Sequence, residues 1–129
     1  MSQLFAVLVG GILGTAIRLG TDTLLPHGAD DFPLGTLIIN VLGSFLLGLI
    51  VARFWSAAPP WMRAGLGTGL LGSFTTFSAL MVSVVALTGT GLWLIAIAYL
   101  VLSLVLGFGA AALGLRVGRV STPIDWVDE

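Results

Sequence analysis

The chain has 129 residues, of which 57% are hydrophobic and only 9% charged, with a net charge of −1 and a mean hydropathy of +1.12. Soluble domains carry about 25% charged residues, so this composition indicates an integral membrane protein. Five arginines and no lysine provide no clustered basic face for nucleic acid, and the absence of cysteine excludes disulfides and thiol catalysis.

Uncharged segments predict four membrane-spanning helices, at about residues 3–25, 33–53, 62–88 and 91–115. A bilayer core needs roughly 20 apolar residues per helix, so the 52 uncharged residues from Ala64 to Leu115 fit two spans joined by a turn. The polar tail from Arg116 onward is expected to be poorly ordered. The loops are short, so residues 1–129 are predicted to form a single all-α, four-helix transmembrane domain surrounded by membrane lipid. Four short spans enclose little space, which favours an oligomer.

The arginines predict the orientation of the chain in the membrane. An even number of spans puts both termini and the loop between spans two and three on one side. That side carries four arginines, and the opposite side carries only Arg18. Because positive charge is retained in the cytoplasm, we expect a multi-pass protein of the inner (plasma) membrane with both termini inside. The imbalance argues against equal insertion in both directions.

Polar residues within the predicted spans are candidates for function. Asn40 lies in the middle of span two, where its amide needs partners, either as an interhelical hydrogen bond or as a donor to a ligand. Arg18 and Asp22 are four residues apart in span one and could form an ion pair; alternatively, Arg18 could attract anions to a pore. Tyr99 and Ser103 share one face of span four.

The segment from Gly72 to Ser78 in span three contains four hydroxyl residues within six positions. Such residues offer the backbone competing hydrogen bonds, so we predict a break in this helix, with a kinked packing helix as the alternative. A break at this depth is tolerated where it is buried in protein or lines a cavity. Freed carbonyls could then hold a cation, and the ring edge of Phe77 could face an anion.

The absence of carboxylate, lysine and histidine side chains from spans two to four also restricts the possible functions. Spans two to four contain no Asp, Glu, Lys or His, although proton-coupled transporters generally require such a group. The single histidine, His27, falls in a loop without a nucleophile beside it, so an enzyme is not predicted.

Three spaced motifs occur in the first three spans. They are Gly11-x-x-Gly14-x-x-x-Arg18, Gly35-Thr36-Leu37-x-x-Asn40-x-x-Gly43-Ser44-Phe45-x-x-Gly48 and Gly69-x-x-Gly72-Ser73-Phe74-Thr75-Thr76-Phe77-Ser78. In length, order and spacing the chain resembles the CrcB/Fluc family of fluoride channels over all four spans.

The resemblance implies an antiparallel dimer of four-helix bundles, each with a broken third helix, and hence dual topology or two oppositely oriented subunits. Two fluoride pathways would run along the subunit interface, and a structural sodium ion would be held at the centre by backbone carbonyls. Transport would be passive electrodiffusion that exports cytoplasmic fluoride and lowers its toxicity.

Residue by residue, the resemblance assigns Asn40 as a pore amide donor, Phe77 as a pore ring and Arg18 as a vestibule charge. The sodium ligands would be the backbone carbonyls of Gly72 and Thr75. The complete set assigned to the fluoride pore is Arg18, Asn40, Thr76, Phe77, Ser78, Tyr99 and Ser103.

The sequence also departs from the family pattern. Ala79 and Leu80 stand where a hydroxyl residue and a second pore phenylalanine are typical, and Gly107 replaces a further hydroxyl residue. Some family members pair two different subunits, so a homodimer and a heterodimer with a related subunit both stay open, as does a non-conducting partner subunit. A small multidrug exporter is a further alternative, although it would be expected to use a glutamate in span one, and this chain has none there.

Overall fold

A computed structural model describes residues 2–120, and every regular element in that range is a helix. The long helices are α1 (Gln3–Leu24), α2 (Leu34–Phe54), α5 (Phe77–Gly89) and α6 (Trp93–Val120). Between α2 and α5 lie α3 (Pro60–Arg63), a π-helical segment (Ala64–Leu71) and the short α4 (Gly72–Phe74). Four helical stretches are long and apolar enough to cross a membrane: Gln3–Leu24, Leu34–Phe54, Pro60–Gly89 and Trp93–Arg119. The predicted all-helical, multi-pass membrane protein is therefore confirmed.

Local hydrogen bonds explain where several helices begin and end. The Ser2 hydroxyl caps α1 by accepting from the Phe5 amide at 3.3 Å. At the end of α5, Gly91 has a φ of +82°, a left-handed conformation that suits glycine. The Leu92 amide donates to the Leu87 carbonyl and the Gly91 amide to the Thr88 carbonyl, which together reverse the chain into α6.

The third span contains two residues of extended backbone. Thr75 has φ and ψ of −80° and 152°, and Thr76 has −150° and 117°. The Thr75 amide and hydroxyl both donate to the Leu71 carbonyl, at 2.9 and 2.8 Å. The Thr76 hydroxyl caps α5 by accepting from the Ala79 amide at 3.1 Å. The local backbone is therefore stabilised by the hydroxyl groups of this segment.

Glycines allow the helices to pack in two close pairs, α1 with the π-helical segment and α2 with α6. A Cβ atom at Gly14 would overlap the Leu70 carbonyl oxygen, and one at Gly114 would overlap the Phe45 carbonyl oxygen. Backbones approach this closely in membrane proteins only where side chains are small. Gly118 continues the second contact against Ala52, and α6 accordingly extends to Val120. Residues 116–120 of the expected tail are thus helical, and residues 121–129 lie outside the described range.

The buried core is small and consists of two clusters, one shared by α2, α5 and α6 and the other by α2 and the first half of the third span. One cluster contains Leu37, Leu80, Leu87, Ala96 and Tyr99, and the other contains Ile39, Leu71 and Phe74. The Tyr99 ring also meets Phe32 edge to face, with centroids 5.4 Å apart. Most other large apolar side chains remain exposed, as expected for surfaces that contact lipid. The polar residues of α2, the third span and α6 converge beside this core.

Candidate functional site

Two open cavities meet at Thr76. The first, called the amide cavity, has a volume of about 490 Å³, and its polar lining residues are Asn40, Ser44, Thr75, Thr76 and Ser103. The second, called the arginine cavity, has a volume of about 510 Å³, and its polar and charged lining residues are Arg18, Asp22, His27, Thr36, Thr76, Ser78 and Ser83. Thr76, on the extended backbone of the third span, therefore borders both cavities.

Asn40 connects α2 to this extended backbone through a pair of hydrogen bonds. Its Nδ2 donates to the Thr76 carbonyl oxygen at 3.0 Å, and its Oδ1 accepts from the Thr76 amide at 2.8 Å. The side-chain amide thus makes the same two hydrogen bonds, one donated and one accepted, that the backbone of a neighbouring strand would make in a β-sheet. An asparagine amide has two N–H donors, so one is left to point at another acceptor in the cavity.

The same hydrogen bonds take donors away from two backbone carbonyls. In a continuous α-helix the Gly72 carbonyl would accept from the Thr76 amide, but that amide donates to Asn40. The Thr75 carbonyl would accept from the Ala79 amide, which instead donates to the Thr76 hydroxyl. Both predicted sodium ligands therefore lack the donors that a continuous helix would give them, which suits a hard cation that prefers oxygen ligands.

A cluster of buried hydroxyl groups lies between the two cavities. Tyr99 is 0% exposed, and its hydroxyl faces those of Thr36, Ser83 and Ser103. The Tyr99 and Ser103 hydroxyls nevertheless have no hydrogen-bond partner within the described residues. Thr36 and Ser83 line the arginine cavity and Ser103 lines the amide cavity. The cluster thus contains two hydroxyls that are unpaired within the described residues, and it has members in the lining of both cavities.

Two aromatic rings line the amide cavity. Phe77 is 67% exposed and Phe108 is 75% exposed. Leu80 lines the same cavity but is only 4% exposed, because it packs in the core cluster with Tyr99. Gly107 leaves space there, since a Cβ atom at that position would meet nothing nearer than the Ser44 hydroxyl at 3.8 Å. The second ring of the cavity therefore comes from α6.

The structure brings most of the sequence-predicted residues together around Thr76. Asn40, Thr75, Phe77 and Ser103 line the amide cavity, Arg18 and Ser78 line the arginine cavity, and Thr76 lines both. Tyr99 lies between the cavities, and Gly72 lines neither.

Asp22 and His27, which the sequence analysis named without assigning them to the pore, also line the arginine cavity. Four further polar or aromatic lining residues were not assigned: Thr36, Ser44, Ser83 and Phe108. A signal existed for two of them, since Thr36 and Ser44 lie four residues before and after Asn40 and so share its helix face. Ser83 and Phe108 have no such marker, because each is an isolated residue in an apolar helix.

A comparison with known proteins identifies the family of the chain. The family model described as CrcB-like protein, Camphor Resistance (CrcB), matches residues 5–115. This chain belongs to the CrcB family. A CrcB relative from Granulibacter bethesdensis, named fluoride-specific ion channel FluC, is 42% identical over 121 residues, covering 92% of this chain and 95% of the relative. Another of that name, from Parabacteroides distasonis, is 37% identical over 125 residues, covering 92% and 94%. The resemblance to the CrcB/Fluc family is confirmed.

Proposed function

We propose that this chain is a subunit of a fluoride-specific channel that lets cytoplasmic fluoride leave across the inner membrane by passive electrodiffusion. The relatives of similar length carry that name. The observation that carries the proposal is the buried hydroxyl cluster at Tyr99, which has members in the lining of both cavities and in which the Tyr99 and Ser103 hydroxyls have no hydrogen-bond partner within residues 2–120. Buried polar groups are normally paired, so unpaired donors favour an acceptor that comes and goes.

Fluoride is small and strongly hydrated, so a channel must replace its water with hydrogen-bond donors. Arg18 would attract the anion to the arginine cavity, and the hydroxyls around Tyr99 would donate to it as water is removed. In the amide cavity the remaining Asn40 N–H and the ring edges would take over. Apart from Arg18, each group that contacts fluoride is neutral and binds it weakly. The ion can therefore leave the pore as well as enter it.

The proposal includes a second subunit in antiparallel orientation. The amide cavity is open on one side, and two mainly exposed rings stand at its opening. A neighbouring subunit would close that side and exclude lipid from the donors. Polar atoms facing hydrocarbon are costly, which supports closure by protein.

The resident cation of this proposal is sodium, held by the Gly72 and Thr75 carbonyls of each subunit. When bound, it would supply positive potential near the amide cavity and hold the extended backbone in place. Purification with potassium in place of sodium tests this step. Fluoride flux should fall and return when sodium is added, whereas unchanged flux would remove sodium from the proposal.

Reconstitution of the purified chain in liposomes tests the function. Fluoride efflux is recorded with an ion-selective electrode under a potassium gradient with valinomycin, and chloride efflux is measured in parallel. We expect rapid fluoride efflux, slow chloride efflux, and loss of fluoride efflux in the double variant Asn40→Ala, Phe77→Ala. Equal efflux of both anions would contradict a fluoride-specific channel.

A second candidate is a subunit that conducts only with a related partner. The burial of Leu80 favours it, because position 80 contributes no exposed ring to the amide cavity. It predicts no efflux from the folded chain alone and recovery when a related family subunit is reconstituted with it. Fluoride efflux from the chain alone would exclude this candidate.

A further inference from the structure

An apolar groove of about 290 Å³ lies between α1 and the beginning of the third span. Its lining includes Ala6, Leu13, Trp61, Leu66 and Leu70, and Gly10 packs directly on the Gly65 carbonyl oxygen between them. The lining carries almost no polar atoms, so a water molecule in the groove would find almost no hydrogen-bond partner. Within a membrane, a groove of this composition accepts a lipid acyl chain.

Arg63 directly follows Trp61 and Met62, two residues of the groove lining, and is not itself part of that lining. It is half-buried, and its Nε donates to the Ala58 carbonyl oxygen at 2.9 Å. Within residues 2–120 this bond is the one hydrogen bond found for its guanidinium, so the two terminal nitrogens keep their donors. A guanidinium fixed at Nε presents a planar fork, which is the geometry that binds phosphate oxygens through two parallel hydrogen bonds.

Charge at this end of the bundle favours an anionic headgroup. Gly118 of α6 packs against Ala52 at the end of α2, which places Arg53, Arg116 and Arg119 at the same end as Arg63. The acidic residues within the described range are confined to the opposite end: Asp22, Asp30 and Asp31. An arginine close to the bound headgroup contributes roughly a fivefold preference for anionic lipid, and this contribution falls off within a Debye length.

We propose that this groove is a binding site for one anionic phospholipid, whose phosphate pairs with the Arg63 fork while an acyl chain lies along Trp61, Leu66 and Leu13. Trp61 suits the boundary between headgroup and chain, where indole rings concentrate. The site does not depend on the proposed channel function, because it shares none of the residues of the two ion cavities.

Fluorescence quenching of Trp61 tests the site. Replacing Trp55, Trp93 and Trp126 by phenylalanine leaves Trp61 as the single tryptophan of the full-length chain. The protein is reconstituted in phosphatidylcholine vesicles that contain either brominated phosphatidylglycerol or brominated phosphatidylcholine at equal mole fraction. We expect phosphatidylglycerol to be preferred over phosphatidylcholine in the quenching curves, and Arg63→Gln to lower that preference about fivefold.

Arg116→Gln is the matched control. It removes one arginine from the same end of the bundle, and Arg116 is distant in sequence from the residues that line the groove. It should keep the preference for phosphatidylglycerol. Equal quenching by the two lipids in the parent protein would overturn the site, as would an equal loss in Arg116→Gln and Arg63→Gln. If Arg63→Gln does not fold, Arg63→Lys serves instead and should lower the preference about twofold, since it keeps the charge but loses the fork.

Discussion

The pair of hydrogen bonds between Asn40 and Thr76 makes Asn40→Asp an informative substitution. A carboxylate would still accept from the Thr76 amide, but it could not donate to the Thr76 carbonyl, and it would add negative charge to the amide cavity. Loss of one buried hydrogen bond costs about 1–3 kcal/mol, and the charge opposes anion entry. We therefore predict that fluoride efflux falls at least about tenfold.

Ser44→Ala is the control for this measurement. It removes the hydroxyl that donates to the Asn40 carbonyl oxygen at 2.7 Å but leaves the Asn40–Thr76 pair intact. Its efflux should stay within about threefold of the parent, because a helix keeps its backbone hydrogen bonds without such a hydroxyl. Parent-like efflux in Asn40→Asp would show that the pair has no role in conduction.

Phe108 yields a second prediction at the scale of one residue. Its ring is mainly exposed and lines the amide cavity together with Phe77, whereas Leu80 is buried. A ring edge interacts with an anion electrostatically, and such aromatic contacts contribute about 0.5–1.5 kcal/mol. Phe108→Leu keeps an apolar side chain without the ring, so liposome fluoride efflux should fall about fivefold.

Leu104 provides the comparison for Phe108, because it lines the same cavity and is also exposed. Leu104→Ala removes apolar volume and no ring, and its fluoride efflux should change less than about twofold. If the two variants lose efflux equally, cavity shape rather than the aromatic ring is the property that matters.

Among the elements, α1 depends on close contact with the third span. Gly14→Ala would place a methyl group onto the Leu70 carbonyl oxygen, so the helices must separate. Overpacking of this kind costs about 1–3 kcal/mol. We expect a lower midpoint of thermal aggregation in detergent. Gly20→Ala on the same helix meets nothing within 4 Å and should leave the midpoint unchanged or raise it. Equal midpoints for both variants would contradict the proposed tight contact.

Sequence reasoning identifies the elements better than it identifies their contacts. Hydropathy predicts four membrane-capable helices, because each must cover its backbone with apolar side chains in lipid. The positions of Thr36 and Ser44 at the site could also have been predicted, because each lies four residues from Asn40 on the same helix face. The bonds between Asn40 and Thr76 were not, since 36 residues separate the two and no periodicity links positions in different helices. The π-helical segment likewise has no sequence signature beyond its glycines.

At the scale of the whole molecule, charge and polarity follow one axis. The arginine-rich end, the amide cavity, the buried hydroxyl cluster, the arginine cavity and the acidic loop follow one another from one end of the bundle to the other. An antiparallel partner would reverse this order, so that each end of the dimer would present both kinds of surface. Whether one chain can supply both orientations depends on how strongly its arginines fix insertion.

Cysteine labelling measures that bias, because the chain has no cysteine of its own. Ala29→Cys and Ser56→Cys place single thiols in exposed loops at opposite ends of the bundle. With four arginines against one, we predict that a membrane-impermeant maleimide added to intact cells labels most Ala29→Cys protein, and labels Ser56→Cys only after permeabilisation. Roughly half-labelling at both positions would mean dual insertion and contradict the arginine argument. A fixed orientation instead requires a different, oppositely oriented subunit for any antiparallel pair, since a chain inserted one way can pair with its own copies only in parallel.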